Sequence, residues 1–280
     1  MEALKLYFEN IPSLHRSLIL AGGLFLFYSL EYIMPYLFLG YNKIKHAGIN
    51  IFFTITTAIV NFALAFLIVA SCDFVYQNKI GILYLTILPT WIFILAGLLI
   101  LDLIGAWLVH FLQHKIRWMW KFHLIHHADT CIDATSANRH HPGESIFRLL
   151  FTVLAVLISG APIWLVMLYQ TVSALLSQFN HANISLPRKV DLALSFLIVS
   201  PNMHKVHHHY VQPYTDSNYS NIFSLWDRLF GTFKTLDRDK LIYGIDTHMH
   251  AREHSSIKNL LSIPFQKYRA PAGSKFEDPA

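Results

Sequence analysis

Two triplets of one spacing, His123-x-x-His126-His127 and His204-x-x-His207-His208, stand in this chain, and a pair, His110-x-x-x-His114, precedes the first. On a helix, positions i, i+3 and i+4 share a face, so each triplet aims three imidazoles at one point and the pair aims two. Neutral imidazole is the commonest protein metal ligand, whereas a cluster of protonated rings would repel itself. A chain with 17 His in 280 residues is too poor in histidine for the doubled triplet to arise readily by chance, so metal binding outweighs a solvated or core role. His181, in Gln178-Phe-Asn-His-Ala-Asn183, brings the candidate imidazoles to nine. One ion takes about four to six ligands, so nine suit two ions with room for an exogenous ligand. An all-imidazole set without thiolate is compatible with iron, zinc, copper or nickel.

Ligating imidazoles usually donate their other N–H to a carboxylate or carbonyl. Asp102, eight residues before His110 and inside an apolar run, is the first candidate for that role. Asp129, Asp133, Asn180, Asp216 and Asn218 are further candidates that would serve equally as turn or cap residues. His140 and His141 lie near the boxes, but Pro142 disfavours helical geometry just before it. His209 falls off the face of the second triplet and suits an outer position. His248, His250 and His254 either cover the site or belong to a solvated tail, and His15 and His46 are isolated and read as inert. Cys72 and Cys131 indicate neither a disulfide framework nor a thiolate site.

The elements that carry these residues are membrane helices. The chain is 54% hydrophobic and 14% charged, against roughly 25% charged in an average soluble domain. Apolar runs at Ser17–Leu39, Ile49–Ser71 and Leu83–Val109 reach the length of about 20 residues that a spanning helix needs. A fourth tract, Phe147–Gln178, enters and returns as a hairpin broken at Gly160-Ala161-Pro162. The first run is too long for a signal-peptide core and lacks a cleavage pattern, so it is expected to be retained. Trp118 and Trp120 fit either an interfacial belt or helix packing, and the short segment Asp191–Ser200 lies along the interface.

Basic residues orient the spans. Lys43, Lys45, Lys115, Arg117, Lys121, Arg139 and Arg148 share one side if the N-terminus is outside, whereas the opposite topology keeps only Lys5, Arg16 and Lys79 inside. The histidine boxes are therefore expected in the cytoplasm. The net charge of +5 borders hydrophobic spans, which points to anionic headgroups and away from nucleic acid. The expected architecture is all-α: an integral membrane helical bundle whose cytoplasmic His-rich helices form a dinuclear metal site. Residues 1–82 are N-terminal transmembrane helices, 83–245 the catalytic region and 246–280 a C-terminal cytoplasmic segment. No endoplasmic-reticulum retention ending is seen, so a bacterial inner membrane and an endoplasmic reticulum membrane both fit.

The ordered set His110/His114, His123/His126/His127, Asn180-His181-Ala-Asn183 and Pro201-Asn-Met-His204-x-x-His207-His208, followed by Asn218-Tyr-Ser-Asn221 and Leu225-Trp-Asp-Arg-Leu-Phe-Gly-Thr-Phe233, resembles the fatty acid hydroxylase superfamily, also called the sterol desaturase family. The likeness covers roughly residues 95 to 245. It implies a membrane-bound, non-haem di-iron oxygenase that uses O2 to hydroxylate, desaturate or demethylate a lipid at an unactivated C–H bond. It also implies that His110, His114, His123, His126, His127, His204, His207 and His208 are ligands, with His181 matching the family's middle histidine. Where some members place two histidines in that region, this chain has only His181, which leaves a position for His141 or a C-terminal histidine. The Asn180–Asn183 and Ser200–His204 segments look most like the sterol C-5 desaturase branch. A sterol-like substrate is accordingly expected first, with alkylglycerol or fatty acyl lipids next.

Breaking a saturated C–H bond is work for a cofactor, while the protein supplies orientation and a dry pocket. Two irons reducing O2 need two electrons from outside, and no Gly-x-Gly-x-x-Gly turn or fused haem domain is present to supply them. A separate donor, cytochrome b5 or a ferredoxin with its reductase, is expected; zinc is a possible occupant in isolated protein. The competing class is a His-rich membrane metal transporter or metal-binding protein, which would place its ligands near mid-membrane along a route through it. A closed structural zinc site would use fewer ligands than nine.

Overall fold

A computed structural model describes residues 1–274. Its elements are helices joined by turns and loops, the longest loop being 208–224; the described residues contain two isolated bridges, Pro35 with Ile184 and His209 with Tyr243, and no β-strand. In chain order the helices are α1 (Glu2–Glu9), α2 (Ser13–Ile33), α3 (Lys43–Asn78), α4 (Thr90–Asp102), α5 (Val109–Lys115), α6 (Arg117–His127), α7 (Pro142–Ser159), α8 (Ile163–His181), α9 (Arg188–Leu194), α10 (Pro201–His207), α11 (Leu225–Leu229), α12 (Ala251–His254) and α13 (Ile257–Ser262).

Four helices are long and apolar enough to cross a membrane: Ser13–Ile33, Lys43–Tyr84, Thr90–Lys115 and Pro142–Ser159. Their outer surfaces are apolar and exposed, with Phe25, Ile59, Phe62 and Phe66 among the most open side chains, and Phe62 is 88% exposed. Such a belt is tolerable only in lipid, and the chain is an integral membrane protein. The boundaries follow local chemistry. Helix α2 stops at Ile33, short of the expected Leu39, where Met34-Pro35 leaves helical geometry. Helix α4 starts at Thr90, right after Pro89, so the first seven residues of the third run, Leu83 to Pro89, lie outside it. Asn42 caps α3 by accepting from Lys45 N at 2.9 Å.

The expected hairpin break is present. Helix α7 ends at Gly160, whose φ of +79° is left-handed, and Pro162 precedes α8. A Cβ on Gly160 would lie 2.5 Å from the Ile80 carbonyl oxygen, because the loop after α3 crosses this turn in close contact. Around it Val75, Leu83, Leu101, Val156, Leu165 and Val166 form the core of the bundle.

Helix α3 has 36 residues, about 54 Å of helix against a hydrocarbon core of about 30 Å. Its N-terminal turns therefore extend past the membrane and pack on the histidine helices, where Ile49 and Phe53 meet Trp120, Leu124 and Ile125. Leu260 and Ile263 close the same cluster from α13 and the turn after it. Each such buried side chain contributes about 1.5–3 kcal/mol.

Between α4 and α5 the helix widens into a π-turn, Leu103–Leu108. A wider turn rotates less per residue, which breaks the uniform 3.6-residue phase that would put Asp102 and His110 on a similar face. Asp102 accordingly does not touch His110. It is fully buried and accepts from Ile222 N, Phe223 N and Trp226 Nε1 at 3.0–3.2 Å, pinning the segment that leads into α11.

Candidate metal centre

The site is assembled by α5, α6, the end of α8 and α10. Ser200 caps α10 by accepting from Met203 N, and Pro201 sits at its first position. The seven residues of α10 therefore start in a defined phase and turn His204, His207 and the following His208 toward α6 and α8.

All nine candidate imidazoles are buried and fall into two groups. His110, His114, His123, His127 and His207 form one; His126, His181, His204 and His208 form the other, and within each the ligand atoms lie within 4.8 Å of one another. The triplets are shared between groups, since consecutive residues cannot face one way: His126 and His127 divide, and so do His207 and His208.

The outer ring nitrogens explain why the inner ones converge. His110 Nδ1 donates to the Tyr219 carbonyl at 2.7 Å, His207 Nδ1 to the Ser217 carbonyl at 2.6 Å and His181 Nδ1 to the Ser177 carbonyl at 2.7 Å. His123 Nδ1 meets Glu144 at 2.8 Å and His114 Nδ1 meets Asp216 at 3.2 Å. Each bond holds the proton on Nδ1 and leaves the Nε2 lone pair pointing inward. Burial pushes the His123 imidazole down to about 3 against the pull of Glu144. Burial, reinforced by neighbouring imidazoles, likewise holds His126, His127, His204, His207 and His208 well below the ordinary histidine value. Neutral rings are the ligating form.

These atoms fit cations. His110 Nε2 and His123 Nε2 are 3.0 Å apart, yet both carry lone pairs. His181 Nε2 has three Nε2 neighbours, His204 at 3.1 Å, His126 at 3.2 Å and His208 at 3.3 Å, more than one lone pair can satisfy. His114 Nε2, His127 Nε2 and His207 Nε2 are buried without a hydrogen-bond partner. Metal–nitrogen bonds of about 2.0–2.1 Å place neighbouring ligand nitrogens about 2.9–3.4 Å apart, the spacing seen here. A cation at each convergence removes a repulsion that hydrogen bonding cannot.

The remaining histidines stay outside both groups. His140 meets Glu144 at 3.0 Å and the Ala137 carbonyl at 3.0 Å while its ring stacks on His126. His141 caps α7 by accepting from Gly143 N, so neither it nor a C-terminal histidine fills the position left beside His181. His209 accepts from Ile242 N and His248 meets Thr247. His46 is not inert: its two nitrogens reach Asp129 at 2.9 Å and Asp133 at 3.0 Å, and Asn50 joins that network through Thr135. Arg139 is buried beside it, donating to the Ile125, Asn50 and His254 oxygens. Among the weaker acidic candidates Asp216 reaches a box histidine, while Asp129 and Asp133 serve the His46 network. Asn180 donates to the Asn221 carbonyl, and Asn218 holds a left-handed turn by donating to the Met203 and Lys234 carbonyls.

Glu144 does not stand out by spacing. It is fully buried in the first turn of α7 and also accepts from Arg148 Nε at 2.9 Å. An acid with an arginine at i+4, opening an apolar helix, is the signal that marks it in the chain. Trp118 and Trp120 divide the two roles open to them. Trp118 is exposed, and Trp120 is buried with its ring centre 4.8 Å from that of His114 and 5.3 Å from that of His127.

Residues 94–232 match the fatty acid hydroxylase family. Similar proteins include an ornithine lipid hydroxylase of Rhizobium tropici, 28% identical over 50% of this chain and 41% of that protein. An alkylglycerol monooxygenase of Danio rerio is 31% identical over 51% of this chain and 31% of its own length. A cholesterol 25-hydroxylase-like protein of Danio rerio is 29% identical over 49% and 54%. The matched region thus spans about a third to a half of these relatives' lengths. No solved structure matches the chain.

Proposed function

The chain belongs to the fatty acid hydroxylase family, and from that premise we propose that it is a membrane-bound lipid hydroxylase with a dinuclear iron centre. The observation that carries this reading is the convergence of bare, buried Nε2 atoms into two groups, five imidazoles in one and four in the other. His110, His114, His123, His127 and His207 would hold one ion, and His126, His181, His204 and His208 the other. Bound iron would supply the O2 and C–H chemistry that no side chain here can perform.

The protein's own contribution is positional. The Tyr219, Ser217 and Ser177 carbonyls fix the rings of His110, His207 and His181, and Glu144 and Asp216 fix those of His123 and His114. Such outer partners orient ligands and raise their basicity. The buried setting excludes bulk water, and the lipid-facing helices α2 to α4 and α7 offer the substrate a route from the bilayer. We assign residues 1–82 to anchoring, 83–245 to catalysis and 246–280 to a cytoplasmic segment, with the histidine boxes on the cytoplasmic side of a bacterial inner membrane or endoplasmic reticulum. O2 is the co-substrate, and a separate protein donates the electrons.

Hydroxylation is favoured over desaturation because the relatives above are named as hydroxylases and a monooxygenase. Their names mention ornithine lipid, alkylglycerol and cholesterol. A sterol-like lipid remains the first class to test, because of the Asn180–Asn183 and Ser200–His204 segments, followed by alkylglycerol, fatty acyl and ornithine lipids. Lipid profiles of cells producing the native chain or His126→Ala decide: a hydroxylated species present only with the native chain is expected. Identical profiles across these classes would refute lipid oxidation.

A further inference from the structure

Balancing the proposed reaction exposes a need that the described residues do not meet. Reducing O2 to water takes four electrons, the C–H bond supplies two, and two must arrive from outside. Electron transfer weakens steeply with distance, so a donor has to dock where the metal ligands come nearest the aqueous surface.

One face combines that proximity with charge. A small surface cleft lined by His114, Trp120, Asp216, Gln212, Ile245 and Pro271 reaches the five-histidine group. Beside it a second cleft is lined by Lys121, Lys267, Arg269, His248, Gln266 and Tyr268, with no carboxylate among its lining residues. Trp120 joins the two. Its ring packs on His114 and His127, and it shares a buried cluster with Tyr268, over whose ring the Arg117 guanidinium lies at 4.4 Å. Residues 115–121 and 246–270 carry seven Lys or Arg against two carboxylates, Asp246 and Glu253, and Asp216 in the first cleft is paired with Lys115 and His114. Glu253 is already bonded to Arg269 at 2.6 Å.

We propose that this face, formed by α6 and the segment 246–270, docks an acidic one-electron carrier protein, with Trp120 as the packed bridge to the metal ligands. The proposal rests on the oxygenase reading above. Complementary charge chiefly raises the encounter rate and fixes orientation, so the interaction is expected to be salt-sensitive. Anionic lipid headgroups are the competing occupant. The basic positions of α6, Arg117 and Lys121, lie one turn apart, while Trp118 and Phe122 on the adjoining face contact Phe147 of the apolar helix α7. The aromatic face is thus the one turned toward the membrane helices, and the cations flank it.

The test uses the full chain in zwitterionic nanodiscs with the soluble haem domain of cytochrome b5 and a plant-type ferredoxin as probes. Binding of the oxidised carriers and the rate at which the reduced carriers lose electrons to the chain are followed as salt is raised. Lys121→Glu combined with Lys267→Glu is compared with Arg188→Glu combined with Lys189→Glu on α9. With at least one carrier, the first pair is expected to weaken binding and slow transfer about tenfold or more at low salt, with the α9 pair and reduction by dithionite unchanged. Native binding and rate in the first pair would overturn the assignment. Unchanged transfer with weakened binding to phosphatidylglycerol vesicles would give these cations to lipid and overturn it too, as would a native chain that neither carrier reduces. A metal centre that dithionite cannot reduce would instead sink the oxygenase reading, and the docking site with it.

Discussion

Nine imidazoles were legible because side-chain spacing is written in the chain, while much of what orients them was not. Three of the five outer ring nitrogens with partners bond backbone carbonyls, of Tyr219, Ser217 and Ser177, and a carbonyl leaves no trace in residue identity. The other two bond carboxylates, and spacing points first to a different one. Asp102 loses the role to Glu144 and Asp216, because a ligand's partner is chosen by which element packs across from it. Glu144 is the more consequential, since its one oxygen serves His123, His140 and Arg148. Glu144→Gln keeps the shape but removes the charge, and metal retention against a chelator is expected to fall about 10–100-fold. Native retention in a variant with unaltered circular dichroism would show that the carboxylate does not support the centre.

The break at Gly160-Ala161-Pro162 was readable because those residues restrict the backbone locally, whereas the apolar runs Ser17–Leu39 and Leu83–Val109 continue across Pro35 and Pro89, beside which the structure ends α2 and starts α4. The π-turn at Leu103–Leu108 rephases α5 relative to α4, and Gly105 inside it does not by itself tell a π-turn from a continuing α-helix, since Gly97 lies in the α-helix just before it. Gly160 illustrates an element held from outside itself. Its left-handed φ and its approach to the Ile80 carbonyl both oppose a side chain. Gly160→Ala is expected to cost about 2 kcal/mol or more and to lower the unfolding midpoint in detergent by several degrees. Gly231 is also left-handed, but a methyl group added there would meet open space, so Gly231→Ala should lower the midpoint less. Equal drops would mean that backbone conformation alone, and not the contact between the hairpin turn and the loop after α3, sets the effect.

Across the whole molecule, the N-terminal helices are more than an anchor. Glu31, near the end of α2, accepts from Ala134 N at 2.7 Å and Asn183 N at 3.0 Å, and Lys43 pairs with it at 3.2 Å. Extra turns of α3 bring His46 and Asn50 against the loop that follows the first triplet. Apart from the Lys43 pair, these contacts join residues 83 to 152 positions apart, so local periodicity could not reveal them, although the spans themselves stood out by length and composition.

Metal content and redox response of protein purified without added metal test the central claim most directly. The account predicts about two irons per chain, one for each histidine group, which after anaerobic reduction are reoxidised by O2. Stoichiometric zinc with no redox response, in protein expressed with ample iron, would contradict it.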